Sequence, residues 1–388
     1  MIDETRIKDN LELISFPRLS GTEGEKKAFN IVKEKIEELN LKPSVQNFSF
    51  SSFYPRIYQK VLFTLIFWGL FILYLNSESF FFTILNLIII LTIFLPVFII
   101  TRKPEKINIG KEKNSQNLYM KILENSDSNK FDNSDVTYDN DKGNLLFFSH
   151  IDSKGQRLRT NYRIFFFKLL IYSVIVCLIV ILLKNLIFVQ YSYYLYIIGF
   201  FPLIINLISV IVLCFNTTNN KSPGAIDNAA GICCVLELLN HYSELKNRLK
   251  NYNLWFVFTG AEECGTMGIR NLIDKIDHLD RTKTFFLLFD TIGSSIDVIT
   301  SERGFFFFKN TTDFTVRLIL PKRIKLARSD AYYLADNKFP GFGVCDHKSY
   351  KYTHSKHDTS EKVDCLLLKK LLEHIVLMAK FVDKRRPQ

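Results

Sequence analysis

Residues 254–268 read LWFVFTGAEECGTMG. An apolar, aromatic and β-branched run ends on a glycine-containing turn, and two adjacent carboxylates, Glu262 and Glu263, follow at once. A run this short, bounded by polar residues and leading into glycine, reads as a buried strand of an α/β sheet. The carboxylates then stand at the strand's carboxyl end, where open α/β sheets place their ligands. Adjacent side chains on an extended or turning backbone diverge, so one carboxylate can hold a cation while the other faces a bound water. Taken alone, the pair equally describes a solvated loop after a strand, and the rest of the chain has to decide between the two.

Working outward, the same arrangement recurs. Residues 144–149, NLLFFS, form a short buried strand that ends on His150-Ile-Asp152, and TFFLLF at 284–289 ends on Asp290. The segment PGAIDNAAG places Asp227 at the opening of a helix over 231–239, and Thr353-His354-Ser-Lys-His357-Asp358-Thr359 lies between a strand at 341–344 and a helix over 366–381. Each has an ordinary explanation: a hydrogen-bonded histidine, a helix-capping aspartate, a loop carboxylate. What joins them is that most fall at strand ends. A further strand is expected at 304–308. Near the N-terminus, Ser20-Gly-Thr22-Glu-Gly-Glu25 starts a helix with Phe29, Ile31, Val32, Ile36 and Leu39 at amphipathic spacing, a strand follows over 42–49, and NLYMKIL at 117–123 reads as another, followed by an Asn/Asp/Ser-rich turn region. Alternating strands and helices define an α/β fold.

Four apolar runs interrupt this pattern, at 61–75, 80–100, 164–183 and 191–215, the first two joined by a short polar turn at 76–79. The second meets the roughly 20-residue requirement for a bilayer span, and the first reaches it with Tyr58 and Gln59 at the interface. The expected architecture is a central mixed β-sheet flanked by helices and interrupted by two transmembrane helical hairpins, at 60–101 and 164–215, with 1–59, 102–163 and 216–388 building one domain. Four spans put those three segments on one side. Arg56, Lys60, Arg102, Lys103, Lys106, Arg157, Arg159, Arg163 and Lys168 flank the runs on that side, and only Lys184 is evident on the other. By the positive-inside rule the domain is expected on the cytoplasmic face of an integral membrane protein, and the charged opening residues predict no signal peptide.

The chain has 388 residues, 36 of them Phe, and a net charge of +11. The basic excess sits beside the apolar runs, and no zinc finger, RNP motif or basic zipper is present, so nucleic acid is excluded as a partner and the lipid bilayer is expected. The seven cysteines are scattered without CxxC spacing, which argues against a disulfide framework and for a reducing compartment.

The order His150-x-Asp152, PGAIDNAAG, GAEE, FDTIG and HSKHDT resembles the M28 family of dinuclear zinc aminopeptidases. RLSGTEGEKKAFNIVKEKIEEL is similar to that family's opening helix, and Ser329-Asp330 with Phe339-Pro340 to its late substrate-side segment. The resemblance implies a zinc-exopeptidase-like fold, two Zn2+ per chain and a peptide substrate. It implies that Asp227 bridges the ions, that His150 and Asp290 complete one site and Glu263 and His354 the other, that Glu262 is the general base, and that Asp152 orients His150. Zinc accepts histidine nitrogen and carboxylate oxygen, and a base beside a metal-activated water can relay its proton to the leaving amine. His150 and Asp227 stand 77 residues apart, which the second hairpin accounts for. His357 is a rival to His354, which the family pattern prefers, and Asp358 with Glu361 resembles a cap for the following helix.

The expected activity is a membrane-bound metallopeptidase, with an aminopeptidase as the main reading. The alternatives are a carboxypeptidase, a glutaminyl cyclase or a non-catalytic scaffold on the same fold. A transporter is disfavoured because the runs contain almost no ionisable residue. Glu302, Arg303 and Arg328 are conceivable contacts for a substrate terminus.

Overall fold

Three neighbouring strands, β3 (Gly143–His150), β4 (Tyr252–Thr259) and β5 (Thr284–Phe289), are apolar on both faces. Leu145, Phe147, Leu254, Phe256, Phe258, Leu287 and Phe289 enter one core, and Leu146, Phe148, Trp255, Val257, Phe286 and Leu288 enter a second. A strand buried on both faces belongs inside a parallel, helix-covered sheet, and β3 pairs in parallel with both β4 and β5. In this computed structural model residues 1–75, 80–123, 142–300, 318–319 and 329–384 are described. The turn expected at 76–79, the Asn/Asp/Ser-rich region at 124–141, the strand expected at 304–308, and Glu302, Arg303 and Arg328 lie outside them.

Among the described residues the sheet has eight strands. The others are β1 (Ser44–Ser51), β2 (Glu112–Ile122), β6 (Asp297–Thr300), β7 (Leu318–Ile319) and β8 (Gly341–Cys345), and the spatial order is β1-β2-β4-β3-β5-β8-β6-β7. β2 and β6 run antiparallel to their neighbours β4 and β8, so the sheet is mixed. Helices α1 (Glu4–Ile14), α2 (Glu23–Glu37), α7 (Ala230–Ser243) and α10 (Cys365–Lys384) contribute to the first core, and α8 (Met267–Ile276) and α9 (Asp330–Asp336) to the second. The long helices and central strands match the sequence expectations within a few residues. The sequence reading missed α1, α8, α9, β6 and β7, the last two only four and two residues long. Asp3 caps α1 by accepting from the Thr5 N–H, and Arg6 grips buried Glu237 of α7 through two hydrogen bonds of 2.6 Å.

Contacts divide the chain into two units, Met1–Phe50 with Lys113–Gly155 and Asn219–Gln388, and Ser51–Glu112 with Gln156–Thr218. The first carries the sheet. The second contains α3 (Gln59–Leu75), α4 (Phe80–Ile100), α5 (Thr160–Leu182) and α6 (Ser192–Cys214). Among the described residues three helical stretches, Tyr54–Leu75, Thr160–Asn185 and Val189–Cys214, are long and apolar enough to cross a membrane; in α4 the apolar stretch Ile84–Ile99 is shorter than that. Phe63, Leu170, Val210 and Leu213 pack together within this unit, as do Leu70, Tyr74, Cys177 and Leu203. Ile88, Leu91, Ile175, Phe200 and Phe201 are exposed. Helices apolar inside and out suit a lipid surrounding. Asn206 donates to Ser173 Oγ at 2.9 Å, a polar link between α5 and α6.

All seven cysteines are free thiols. On α7, both ring nitrogens of His241 are buried without a hydrogen-bond partner. Burial, with the N-terminal ammonium, Lys380 and Lys246 adding and Glu244 opposing, pushes this imidazole down to about 4 from 6.5. The unfolded chain therefore takes up the proton first as pH falls. The stability contributed by the neutral ring is complete above about 6.5 and is lost toward about 4. Thermal melts of wild type and His241→Leu between pH 7 and 4.5 are expected to diverge, the wild type losing more on acidification; parallel curves would contradict this assignment.

Candidate metal centre

The parallel register brings three carboxyl-terminal strand ends together. His150 closes β3 opposite Thr259, the last residue of β4. Phe148 lies opposite Leu288, so His150, two residues on, stands level with Asp290 just past β5. The chain leaves β3 for β4 on one side and later places β5 on the other, so this edge is a topological switch point, where such sheets open a crevice. Beyond β4, Ala261 turns the backbone into the left-handed region at φ 50°, and Glu262–Cys264 form one turn of 3-10 helix. Asp227 comes from the loop before α7, and Asn228 moors that loop by donating to Ser149 Oγ at 3.1 Å and Phe289 O at 2.8 Å. Gly231 permits the approach, since a Cβ there would meet Phe289 O at 2.5 Å. His354 arrives from the loop after β8, itself at φ 58°.

The five candidate ligands converge in two groups that share Asp227: His150, Asp227 and Asp290, and Asp227, Glu263 and His354. Asp227 Oδ1 lies 3.2 Å from His150 Nε2, and its Oδ2 lies 3.1 Å from His354 Nε2. His150 Nε2 is also 3.5 Å from Asp290 Oδ1, and His354 Nε2 is 2.7 Å from Glu263 Oε1. His357 is exposed and points its backbone N–H at Ser355 Oγ.

The donor chemistry suits a cation. His150 Nδ1 faces the backbone carbonyl of Asp152 at 3.0 Å and its carboxylate at 3.4 Å. A carbonyl only accepts, so Nδ1 carries a proton and Nε2 is the nitrogen turned toward two carboxylate oxygens. Only a proton or a metal ion between them relieves that arrangement. Glu263 Oε1, likewise, is buried against His354 Nε2 at 2.7 Å. Nitrogen and carboxylate ligands in this mixture are those zinc takes.

Electrostatics separates the two glutamates. Burial opposes ionisation of Glu263, but His354 and Lys154, which is ion-paired to its Oε2, hold its carboxyl down at about 2. Burial also opposes ionisation of Asp227, and hydrogen bonds from His150 and His354 outweigh it, leaving that carboxyl well below its usual range. Glu262 behaves oppositely. Burial raises its carboxyl well above the ordinary range, with Glu263, Asp330 and Asp290 adding and His150 opposing. Buried Asp330, whose Oδ2 accepts from Thr259 Oγ1 at 2.5 Å, is pushed up to about 7 by desolvation.

Asp152 does more than face His150. Its Oδ1 accepts from the Glu262 N–H at 3.0 Å and its Oδ2 from the Glu263 N–H at 3.1 Å, so one carboxylate fixes the whole glutamate turn. Glu25, read from the sequence as a helix-starting residue, reaches the same turn: its Oε1 accepts from the Ala261 N–H at 3.0 Å and its Oε2 from the Gly21 N–H at 2.6 Å. The expectation for Asp358 is corrected. It is buried and accepts from the Ile226 N–H at 2.6 Å, supporting the Asp227 loop, while Asp364 accepts from the Leu367 N–H at the start of α10. The sequence spacing mimicked a cap, and a long-range backbone donor took the carboxylate instead. Lys154, Arg18, Glu25 and Asp358 were missed because their partners are remote in sequence. Lys154, four residues past His150, carried the one local signal, a cation beside a run of ligands.

Residues 209–379 match the description of peptidase family M28. No curated protein sequence matches. Among solved structures, an aminopeptidase from Aneurinibacillus sp. strain AM-1 is similar at a TM-score of 0.56 and 14% identity, covering 100% of this chain and 95% of that one. A Zn-dependent exopeptidase from Parabacteroides distasonis ATCC 8503 is similar at 0.51 and 10%, covering 98% of each chain. A glutaminyl cyclase from Fimbriiglobus ruber reaches 0.50 and 13%, covering 98% of this chain and 95% of that one. At these identities the likenesses establish the fold, the mixed sheet flanked by helices of zinc exopeptidases. Residues 209–379 thus carry a peptidase family M28 domain, on a fold like that of zinc exopeptidases.

Proposed function

We propose that the protein is a membrane-bound zinc aminopeptidase that removes N-terminal residues from peptides. The observation that carries this reading is the placement of the two oxygens of Asp227 against two different histidines. His150, Asp227 and Asp290 would hold one Zn2+, and Asp227, Glu263 and His354 a second. Bound zinc supplies Lewis acidity toward the scissile carbonyl and acidifies a water. Glu262 would serve as general base toward a water at this site and as proton donor to the leaving amine, and Asp152 keeps both glutamates and His150 in place.

Charge favours an amino terminus over a carboxyl terminus as the recognised end. Among the described residues, Lys154 is committed to Glu263, and Arg18 gives its guanidinium N–H groups to backbone carbonyls. Asp330 remains as an acidic neighbour suited to an α-ammonium. The four apolar helices serve as two membrane hairpins in this reading, with 1–59, 102–163 and 216–388 forming the peptidase domain. The basic residues from Arg56 to Lys168 flank the helix ends on the cytoplasmic side.

The test is metal content and hydrolysis on detergent-purified protein. Two zinc per chain and chelator-sensitive cleavage of aminoacyl-anilides are expected. A zinc-free, inert protein would favour a scaffold, and cyclisation of N-terminal glutamine without amide cleavage would favour the glutaminyl cyclase alternative.

A further inference from the structure

Arg18 is among the largest fully buried side chains of the protein. It follows α1, in a segment that sequence alone would place on the surface. No carboxylate hydrogen-bonds its guanidinium among the described residues. Instead Nε donates to Ile151 O at 2.6 Å, Nη1 to Pro223 O at 2.6 Å and Nη2 to Gly224 O at 2.7 Å, with longer bonds from Nη1 to Ile14 O and Phe16 O at 3.2 Å. Ile151 sits between His150 and Asp152, and Gly224 lies three residues before Asp227. One planar group thus ties the loop after β3 to the loop before α7.

The surroundings are built for this contact. Gly224 has φ +66°, and a Cβ there would stand 2.8 Å from Arg18 Nη1 and 2.4 Å from Ser153 Cβ. The backbone of Arg18 is held as well: its N–H donates to Ser153 Oγ and its carbonyl accepts from the Ser153 N–H at 3.0 Å, while Leu19 N–H donates to Asn220 Oδ1 at 2.9 Å. Ser153 Oγ in turn donates to Ser222 O at 3.2 Å. Burying a charge without an ion pair is costly. A residue meant only to fill this space would be apolar, whereas a guanidinium offers five N–H donors in a fixed plane and can join several carbonyls at set angles.

We propose that Arg18 is a positioning residue of the metal centre: its guanidinium clamps the His150 loop to the Asp227 loop and thereby fixes the spacing between those two side chains. This rests on the metal-centre reading given above. Arg18 touches neither metal nor substrate. It acts through backbone carbonyls next to two ligands, so its loss loosens the first group, His150, Asp227 and Asp290, in the apo protein as well as in the loaded one. Lysine keeps the charge but concentrates its donors at one nitrogen, which cannot span both loops.

The experiment compares full-length wild type, Arg18→Lys and Arg18→Ala in detergent, stripped of metal and titrated with zinc against a chromophoric chelator. The monodisperse, folded fraction is used, and kcat and KM are measured afterwards. Arg18→Lys is expected to bind zinc about tenfold more weakly, the scale on which residues behind the ligands tune metal affinity. Its kcat is expected to fall by a similar factor with KM nearly unchanged. Millimolar methylguanidinium should restore zinc affinity to Arg18→Ala, and urea at the same concentration should not. A lowered thermal midpoint with wild-type zinc affinity and wild-type kcat in the folded fraction overturns the proposal. Should neither arginine variant fold, Ser153→Ala loosens the same strap by one hydroxyl. Weaker zinc binding is then expected, and unchanged binding overturns the proposal. Wild-type protein that binds no zinc would instead sink the reading of the centre itself.

Discussion

Replacing Glu262 with glutamine is expected to lower kcat by about a thousandfold, within the range removed with a general base, while zinc content stays at the wild-type level. Glutamine preserves the volume of the side chain and leaves the Glu262 N–H on Asp152 Oδ1, so the turn should keep its shape. What it removes is the ability to accept a proton. Burial among Glu263, Asp330 and Asp290 raises the basicity of this carboxylate, which suits a group that must take a proton from water and then give it up. Steady-state kinetics on an aminoacyl-anilide, with zinc measured on the same preparation, decides the matter. A kcat within tenfold of wild type would remove Glu262 from the proposed role, and loss of zinc would make it a ligand instead.

Asp227→Ala is expected to cost more, with zinc falling toward zero and turnover below detection, because each oxygen of this one carboxylate faces a different histidine. Glu263→Ala provides the contrast. It takes one oxygen from the second group alone and leaves His150, Asp227 and Asp290 intact, so about one zinc should remain. Elemental analysis of the two variants side by side separates a shared ligand from an unshared one. If Asp227→Ala retains one ion and measurable turnover, the two groups do not depend on a common carboxylate.

The place of GAEE at the edge of the sheet was legible because a buried parallel strand announces itself as an apolar run, and whatever follows it lands at the sheet's carboxyl edge. His150, Asp152, Asp290 and both glutamates were found that way. Asp227 and His354 come from loops, where the residues alone read equally as a helix cap and a hydrogen-bonded histidine and the motif resemblance gave them as ligands; the structure brings their side chains to the same place. Residues whose partners lie far along the chain were hidden. Asp358 has the local spacing of a helix cap, and nothing nearby in sequence announces the Ile226 N–H that it accepts from. Arg18 and Glu25 look like surface charges until the loops at 151, 223–224 and 261 fold over them. The apolar helices were plain from composition alone, since length and hydropathy need no tertiary context.

Dispersion of the centre along the chain governs when it can exist. Arg18 must meet carbonyls from beyond residue 220, and His150 and His354 are separated by 204 positions. During synthesis the first strands leave the ribosome long before the last histidine is made. A nascent copy therefore has half a centre at most, and an early-terminated one never completes it. The ligand set is complete only in molecules made past His354 that have closed their longest loops, the slowest class of contact to form. The order of the ligands along the chain thus ties assembly of the centre to completion of the fold.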